Sequence, residues 1–299
     1  PPYENADVLD TGYPDGLTAE LAIDKLEDVA QMKKPFFMGV GFFKPHLPFT
    51  APKKYWDLYD RSAIELAPYD TIPLNSAPSS LQRNGEFNGY KKGDERANLG
   101  TPLSSDYARK LKHGYFASIS YIDAQVGKVI NALEDLGLKD NTIVILWGDH
   151  GWNLGDYTVW GKHTLFERSL NSAFMIKAPG VSRAGSTERI VSTVDLYPTL
   201  MELCGLEMPH DTDGHSLYKI LERDGGQWEN ISYGYWNNGI TLRTERYRLM
   251  RYFRDDGPKI ELYDHLNDPL ETINISDENP QIVKELLALL EKGDTGLHD

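Results

Sequence analysis

Thr142-Ile143-Val144-Ile145-Leu146-Trp147-Gly148-Asp149-His150-Gly151 is the stretch whose reading sets the fold class. Its first six residues form a nearly continuous apolar run, without the polar alternation of a half-exposed strand. Such a run suits a strand covered on both faces of a parallel sheet. The run stops at Gly148, and two glycines frame Asp149-His150, which lets the backbone turn sharply and approach a ligand. In open α/β sheets, chemistry gathers beyond the carboxyl ends of the strands.

Upstream, residues 107–136 read as a long helix with Ile119, Ile122, Val126, Val129, Ile130 and Leu133 on its inner face and Gly137 as its C-cap. The run 35–42 reads as a second buried strand. It follows an amphipathic helix over 17–32, with Thr18 as N-cap and Leu21, Ala22, Leu26, Val29 and Ala30 on one face. Residues 1–15 read as a loop and 43–106 as a long irregular segment, a kind of segment that usually carries function. Helix followed by strand is an α/β unit.

Downstream, 171–177 reads as a further strand and 188–203 as a helix, with Ser192 or Thr193 capping its second part and Asp195 helping to cap or orient it. From about 228 the texture changes to short strands over 231–236, 239–243, 247–253 and 259–263. Asp255-Asp256-Gly257 is a turn between two of them, and a terminal helix covers 280–290. The expected division is a domain over 1–226 and a small antiparallel subdomain over 227–299.

Composition narrows the class. The 299 residues are 40% hydrophobic and 25% charged, which fits a folded chain rather than a disordered one. A formal charge of −14 disfavours nonspecific attraction to nucleic acid or anionic lipid. No apolar run is long enough to span a bilayer. Cys204 is the only cysteine, so no intrachain disulfide forms; following the apolar run 196–203, it reads as a small buried hydrophobe. The 17 Tyr and 6 Trp suit either core packing or stacking on sugars.

Three clusters carry candidate chemistry. Asp149 and His150 are an adjacent carboxylate and imidazole, able to share a divalent cation or simply to hydrogen-bond each other. Lys162-His163 supplies a point charge for an anionic ester and a proton donor, although the tripeptide Gly161-Lys162-His163 is weak by itself. Lys44-Pro45-His46 follows the other strong strand; the plainer reading of His46 is a loop histidine packed between prolines. Glu167 and Arg168 either extend the site or pair at the surface. Asp211, Asp213 and His215 read as a polar turn and His113 as structural. There is no phosphate-binding Gly-Lys-Ser/Thr loop, no dinucleotide fingerprint and no Gly-x-Ser-x-Gly elbow.

The chain resembles the later part of a type I sulfatase of the alkaline-phosphatase-like superfamily, and within it the iduronate-2-sulfatase group. The marks are Phe36 to Phe49 with its Lys-Pro-His segment, Tyr121-Ile122-Asp123-Ala124-Gln125-Val126-Gly127, Gly148 to Gly155, Trp160-Gly161-Lys162-His163, Val194 to Leu200, and Asp213-Gly214-His215-Ser216-Leu217. The resemblance implies a mixed, mostly parallel sheet flanked by helices, with a small antiparallel sheet and helix behind it. It implies that Asp149 and His150 belong to a Ca2+ site, with Mg2+ the less favoured ion. Lys162 would bind the sulfate oxygens and His46 would assist departure of the sugar oxygen. His150 is also a candidate for sulfate or nucleophile contact. Lys44, His163, Trp152, Asn153 and Trp160 are implied on the substrate side.

Sulfatases of this kind use a formylglycine made from a Cys/Ser-x-Pro/Ala-x-Arg motif. This sequence has no such motif, and the family's early Asp-Asp metal pair is missing too. The chain opens on Pro1-Pro2-Tyr3, without Met or a signal peptide. The favoured expectation is therefore a C-terminal portion that associates with an N-terminal part supplying the nucleophile, and that is inactive alone. A noncatalytic homologue that binds sulfated carbohydrate is the other account. A phosphodiesterase or phosphonate monoester hydrolase of the same superfamily is the alternative chemistry. The expected substrate is a sulfated sugar or polysaccharide, and the expected location is periplasmic or secreted, or lysosomal in a eukaryote.

Overall fold

The helix Pro14–Met32 starts on a proline, whose missing N–H costs nothing in a first turn. Thr18, expected as the cap, therefore lies inside it. The buried line is Asp15, Ala19, Ala22 and Leu26, while Leu21 is exposed. This computed structural model describes residues 1–81, 83–90, 93–181, 184–222 and 228–293. They fall into two units, Pro1–Asp70 with Arg83–Thr142 and Leu154–Gly161, and Thr71–Gln82 with Ile143–Asn153 and Lys162–Asp299. The division expected at 226/227 falls outside the described residues.

In the first unit the long helix Ser105–Asp135 packs on Pro14–Met32 and on the short helix Lys53–Trp56. Ser104 caps its start, accepting from Tyr107 N at 3.4 Å. Its end closes as expected on Gly137, at φ +69°, with Leu138 N donating to Leu133 O at 2.8 Å. Of the expected inner face, Leu133 is buried and Ile122, Val126, Val129 and Ile130 are half-buried, but the fully buried line is a different one. Leu111, Gly114, Ala117, Ser118, Tyr121 and Gln125 are buried, and Ile119 is exposed. Small residues decide this. A Cβ on Gly114 would lie 2.8 Å from the Trp56 ring and 3.0 Å from Phe49, so only glycine permits that approach.

Polar groups lock the same interface. Tyr121 donates its hydroxyl proton to Asp10 O at 2.9 Å and accepts from Gly16 N at 2.6 Å. Burial of Asp10 opposes its ionisation, but hydrogen bonds from Lys128, Lys54, Gln125 and Tyr55 win and hold its carboxyl well below the usual range. The N-terminal stretch is not all loop: Tyr3–Glu4 pairs in parallel with Phe49–Thr50.

The run 35–42 departs from expectation. It is no strand, and Phe37 is 86% exposed. A ladder needs a neighbour to exchange N–H and C=O bonds, and none is present among the described residues.

In the second unit, Val144–Trp147 is a strand as expected, but its partner is the antiparallel strand Phe174–Lys177, with Trp147 opposite Phe174. Trp147 is 52% exposed rather than covered on both faces. Ile231–Tyr235, Gly239–Thr244, Tyr247–Tyr252 and Lys259–Asp264 form one antiparallel sheet in reverse chain order. Asn237 and Asn238, at φ +48° and +52°, supply the left-handed geometry of a tight hairpin. The helix Pro280–Leu290 covers the sheet, packing Leu286 and Leu290 on Ile240, Leu242, Leu249 and Leu262.

Two expectations there fail. The helix over 188–203 is confined to Leu196–Leu203, behind a turn at Thr193–Asp195. The stretch Ile190 to Val194, β-branched at every position but Ser192, is a poor helix former. Ser192 and Asp195 form a capping box that starts the helix late. Cys204 is exposed, because the helix ends at Leu203 and the chain turns outward on Gly205 at φ +64°.

Candidate active site

The strand Val144–Trp147 ends at Gly148, whose N–H still donates to Ala173 O at 2.9 Å. The next residues turn away under two constraints. Gly151 N donates to Ser169 O at 2.8 Å, and a Cβ on Gly151 would lie 2.2 Å from Arg168 O. Glycine is required there because the loop lies directly on the short helix Glu167–Leu170. Asn153 Nδ2 donates to Ser169 Oγ at 2.8 Å, and Ser169 Oγ is 2.7 Å from Thr164 Oγ1. Ser169 thus staples the loop carrying Asp149-His150 to the loop carrying Lys162-His163.

Asp149 stands out from that loop with an 85% exposed side chain. Its Oδ1 accepts from His150 N at 3.1 Å, and its Oδ2 lies 3.5 Å from His150 Nε2. His150 Nδ1 faces Gly151 O at 2.8 Å. A carbonyl only accepts, so Nδ1 carries a proton and the lone pair of the neutral ring lies on Nε2. This is the arrangement that prepares a histidine as a metal ligand. Oδ2 and Nε2 are close enough to share one cation, and a hard ion would need further oxygen ligands beside them. Lys162 places its ammonium 5.4 Å from the centroid of the Trp152 ring. His163 stacks on Trp236 at 4.7 Å and 21°. Trp236, at the tip of the hairpin through Asn237 and Asn238, has no signal in the sequence that ties it to His163.

Beneath these loops lies a charge cluster. Arg248 Nε donates to Glu271 Oε1 at 2.6 Å, and its Nη2 pairs with Glu167. Glu271 also accepts from His265 Nε2 at 2.9 Å and from Glu167 N at 2.8 Å. Burial opposes ionisation of Glu167, but the charges of Arg248, Arg243 and His265 outweigh it and lower its carboxyl. Glu167, His265 and Glu271 are the one acid and histidine trio close enough for a metal among the described residues. The Arg248 guanidinium already bridges the two carboxylates of that trio, which makes it an ion-pair network. Glu167 is therefore not a plain surface ion pair: it anchors the helix under the loops to the antiparallel sheet.

Lys44, His46 and Trp160 belong to the first unit. Asp15 accepts from Phe43 N at 2.8 Å and from Lys44 N at 2.9 Å. Lys44 is 8% exposed, and its Nζ donates to His46 O at 3.0 Å and Pro48 O at 2.6 Å. Its ammonium is spent on folding the His46 loop, and burial pushes its amine down to about 8. His46 Nδ1 faces Leu47 O at 2.7 Å and its Nε2 lies 3.0 Å from Glu86 Oε1. Trp160 is 2% exposed and packs on Phe87 at 6.0 Å. His113 is structural as expected, with Nε2 2.7 Å from Trp56 O. Asp195 orients its helix, accepting from Ser192 N at 2.7 Å and His215 N at 2.8 Å.

Comparison with known proteins follows the same residues. The family model described as Sulfatase matches residues 1–206, and that described as N-sulphoglucosamine sulphohydrolase, C-terminal, matches 155–295. Iduronate 2-sulfatase of Mus musculus is 35% identical over 253 residues, covering 75% of this chain and 46% of that protein. A sulfatase of Formosa agariphila is 30% identical over 268 residues, covering 89% of this chain and 50% of its own length. This chain thus spans about half the length of the curated relatives it matches. Among solved structures, a phosphonate monoester hydrolase from Silicibacter pomeroyi superposes with a TM-score of 0.79 at 20% identity, covering 96% of this chain and 60% of that one. A protein in complex with its substrate D-glucosamine-2-N,6-O-disulfate superposes with a TM-score of 0.74 at 22% identity, covering 94% and 69%. Both share the alkaline-phosphatase-like fold expected from the sequence. With the match running through the strand-end loops as well as the scaffold, the chain belongs to the sulfatase family.

Proposed function

We propose that the protein carrying this chain hydrolyses sulfate esters of sugars. The observation that carries the reading is the stapled pair of loops presenting Asp149, His150, Lys162 and His163 together, within a chain of the sulfatase family. The relatives named for iduronate 2-sulfate and the neighbour bound to a disulfated glucosamine support a saccharide substrate.

Each group then has a task. Lys162 holds the sulfate oxygens as a point charge beside Trp152. Asp149 and His150 would hold a divalent cation, for which Ca2+ would fit the carboxylate better than a softer ion does. When bound, that cation supplies stabilisation of charge on the sulfuryl oxygens. His46 gives a proton to the departing sugar oxygen. The His163–Trp236 stack offers a flat apolar edge to a sugar ring. Lys44 acts through the His46 loop, and Trp160 supports the packing beside it.

The formylglycine and the remaining metal ligands are assigned to residues outside this chain, on the N-terminal side. Support comes from the share of the relatives that this chain spans, and from Trp147, which leaves apolar surface exposed at the end of its strand. No helix among the described residues is long and apolar enough to cross a membrane. A periplasmic, secreted or lysosomal location is part of the same proposal.

The test is a panel of sulfated mono- and disaccharides, an aryl sulfate, a phosphodiester and a phosphonate monoester, assayed with the protein that carries this chain. Preferential release of inorganic sulfate supports the reading. Preferential phosphonate or phosphodiester cleavage sinks it in favour of the related hydrolases. Saccharide binding without turnover points to a binding protein.

A further inference from the structure

We propose that the proton His46 delivers is held jointly by His46 and Glu86, with Glu86 as the positioning residue; the inference rests on the function proposed above. Two separately anchored segments of the first unit bring the pair together. On one side, Asp15 fixes the backbone of Phe43 and Lys44, and Lys44 Nζ fixes the carbonyls of His46 and Pro48. On the other, Glu86 lies on the short helix Gly85–Asn88. Asn84, buried just before it, donates Nδ2 to Thr158 O at 3.0 Å and accepts from Trp160 N at 2.7 Å. Phe87, just after Glu86, is buried against Trp160 and Tyr107. These anchors fix the backbone that carries Glu86.

The ring contacts then settle where the protons sit. Leu47 O can only accept, so Nδ1 of His46 is a donor and keeps its proton. Nε2 is the nitrogen left for exchange, and Glu86 Oε1 lies 3.0 Å from it. A hydrogen bond at that distance holds one proton, as imidazolium with carboxylate or as imidazole with carboxylic acid. In either form the shared proton lies on the line between Nε2 and Oε1, aimed by the carboxylate. In the reaction, the sugar oxygen replaces Oε1 as the acceptor at Nε2. As an oxygen nucleophile, the hydroxyl of the formylglycine hydrate assigned above to the N-terminal side, forms its bond to sulfur, the sulfur–oxygen bond to the sugar breaks with its electron pair going to the sugar oxygen. The Nε2–H bond breaks, the new O–H bond forms, and neutral His46 with its Nδ1 proton is left beside the Glu86 carboxylate. Water returns the proton.

The test compares Glu86→Gln with the parent on two esters that differ in leaving group. A sugar sulfate departs as a strongly basic alkoxide and needs the proton. A nitrophenyl sulfate departs as a stable anion and needs it little. Glu86→Gln is expected to lower kcat/KM for the sugar ester by about a hundredfold, and for the aryl ester by at least about tenfold less. Equal losses on both esters, or none on either, overturn the proposal. If the parent cleaves neither ester, the functional reading fails and the pair is judged by ¹⁵N NMR of the His46 ring. There the proposal expects a protonated Nδ1 in both proteins and an Nε2 resonance that moves in Glu86→Gln; unchanged spectra overturn it.

Discussion

Glu261 is the group whose replacement gives the sharpest number. It lies fully buried in the strand Lys259–Asp264. Oε1 accepts from Ala77 N at 2.6 Å and Oε2 from the Tyr263 hydroxyl at 2.9 Å. Both bonds favour the anion, but burial outweighs them and pushes the carboxyl from an ordinary 4.5 up to about 7. Because the folded value lies above the unfolded one, the folded state prefers the protonated acid. Its contribution to stability is fully present below about pH 4.5, declines as pH rises, and is lost once pH passes about 7. The size of the loss is about 3 kcal/mol. Glu261→Gln keeps the shape and removes the titration. Urea unfolding of both proteins at pH 5 and pH 8, followed by near-ultraviolet circular dichroism, isolates this group, since the other carboxyls are common to both. The variant is expected to gain on the parent by about 2.5 kcal/mol between the two pH values, the rest of the loss being already present at pH 5. A difference between parent and variant that stays constant with pH would refute the reasoning.

Other outcomes follow from the same geometry. Arg248→Met removes the cation between Glu167 and the fully buried Glu271 and should cost about 3–5 kcal/mol in thermal unfolding; a cost within the range of an ordinary surface change contradicts the network. Lys44→Met frees the His46 and Pro48 carbonyls and lets the His46 loop shift, so turnover of a sugar sulfate should fall by about a hundredfold. Unchanged kcat would place His46 outside the chemistry. Chelator treatment should abolish sulfate release and Ca2+ should restore it in the parent. Asp149→Asn should raise the Ca2+ concentration needed for restoration, and an unchanged requirement would remove Asp149 from the cation site.

Much of this was legible in the chain itself. The antiparallel sheet and the helix Pro280–Leu290 followed from short strands with turn residues between them, because register and turn chemistry are local. The C-terminal end of the long helix was legible for the same reason, at Gly137, whereas the Ser104 cap that starts it at Ser105 was not read. Most of the helix's buried face was not legible either, since Gly114 and Ala117 win over isoleucine through close approach of Trp56, a contact that periodicity does not reveal. The run 35–42 has the composition of a strand, but pairing depends on a neighbour, and no neighbour is written into the run itself. Among the candidate site residues, Asp149, His150, Lys162 and His163 were visible as polar residues beyond a strand end. Glu86, Ser169 and Trp236 were not, because each matters through a partner distant in sequence. Lys44 and Trp160 looked like substrate contacts and instead lie buried, one folding a loop and the other packing on Phe87.

The central claim is that these loops serve a sulfate ester. The most direct measurement is inorganic sulfate released from a sulfated disaccharide by the protein carrying this chain, alongside its Lys162→Ala variant. The account expects stoichiometric sulfate from the parent and a loss of about a hundredfold or more in the variant. Equal release by both proteins, or none by a folded parent loaded with Ca2+, would contradict it.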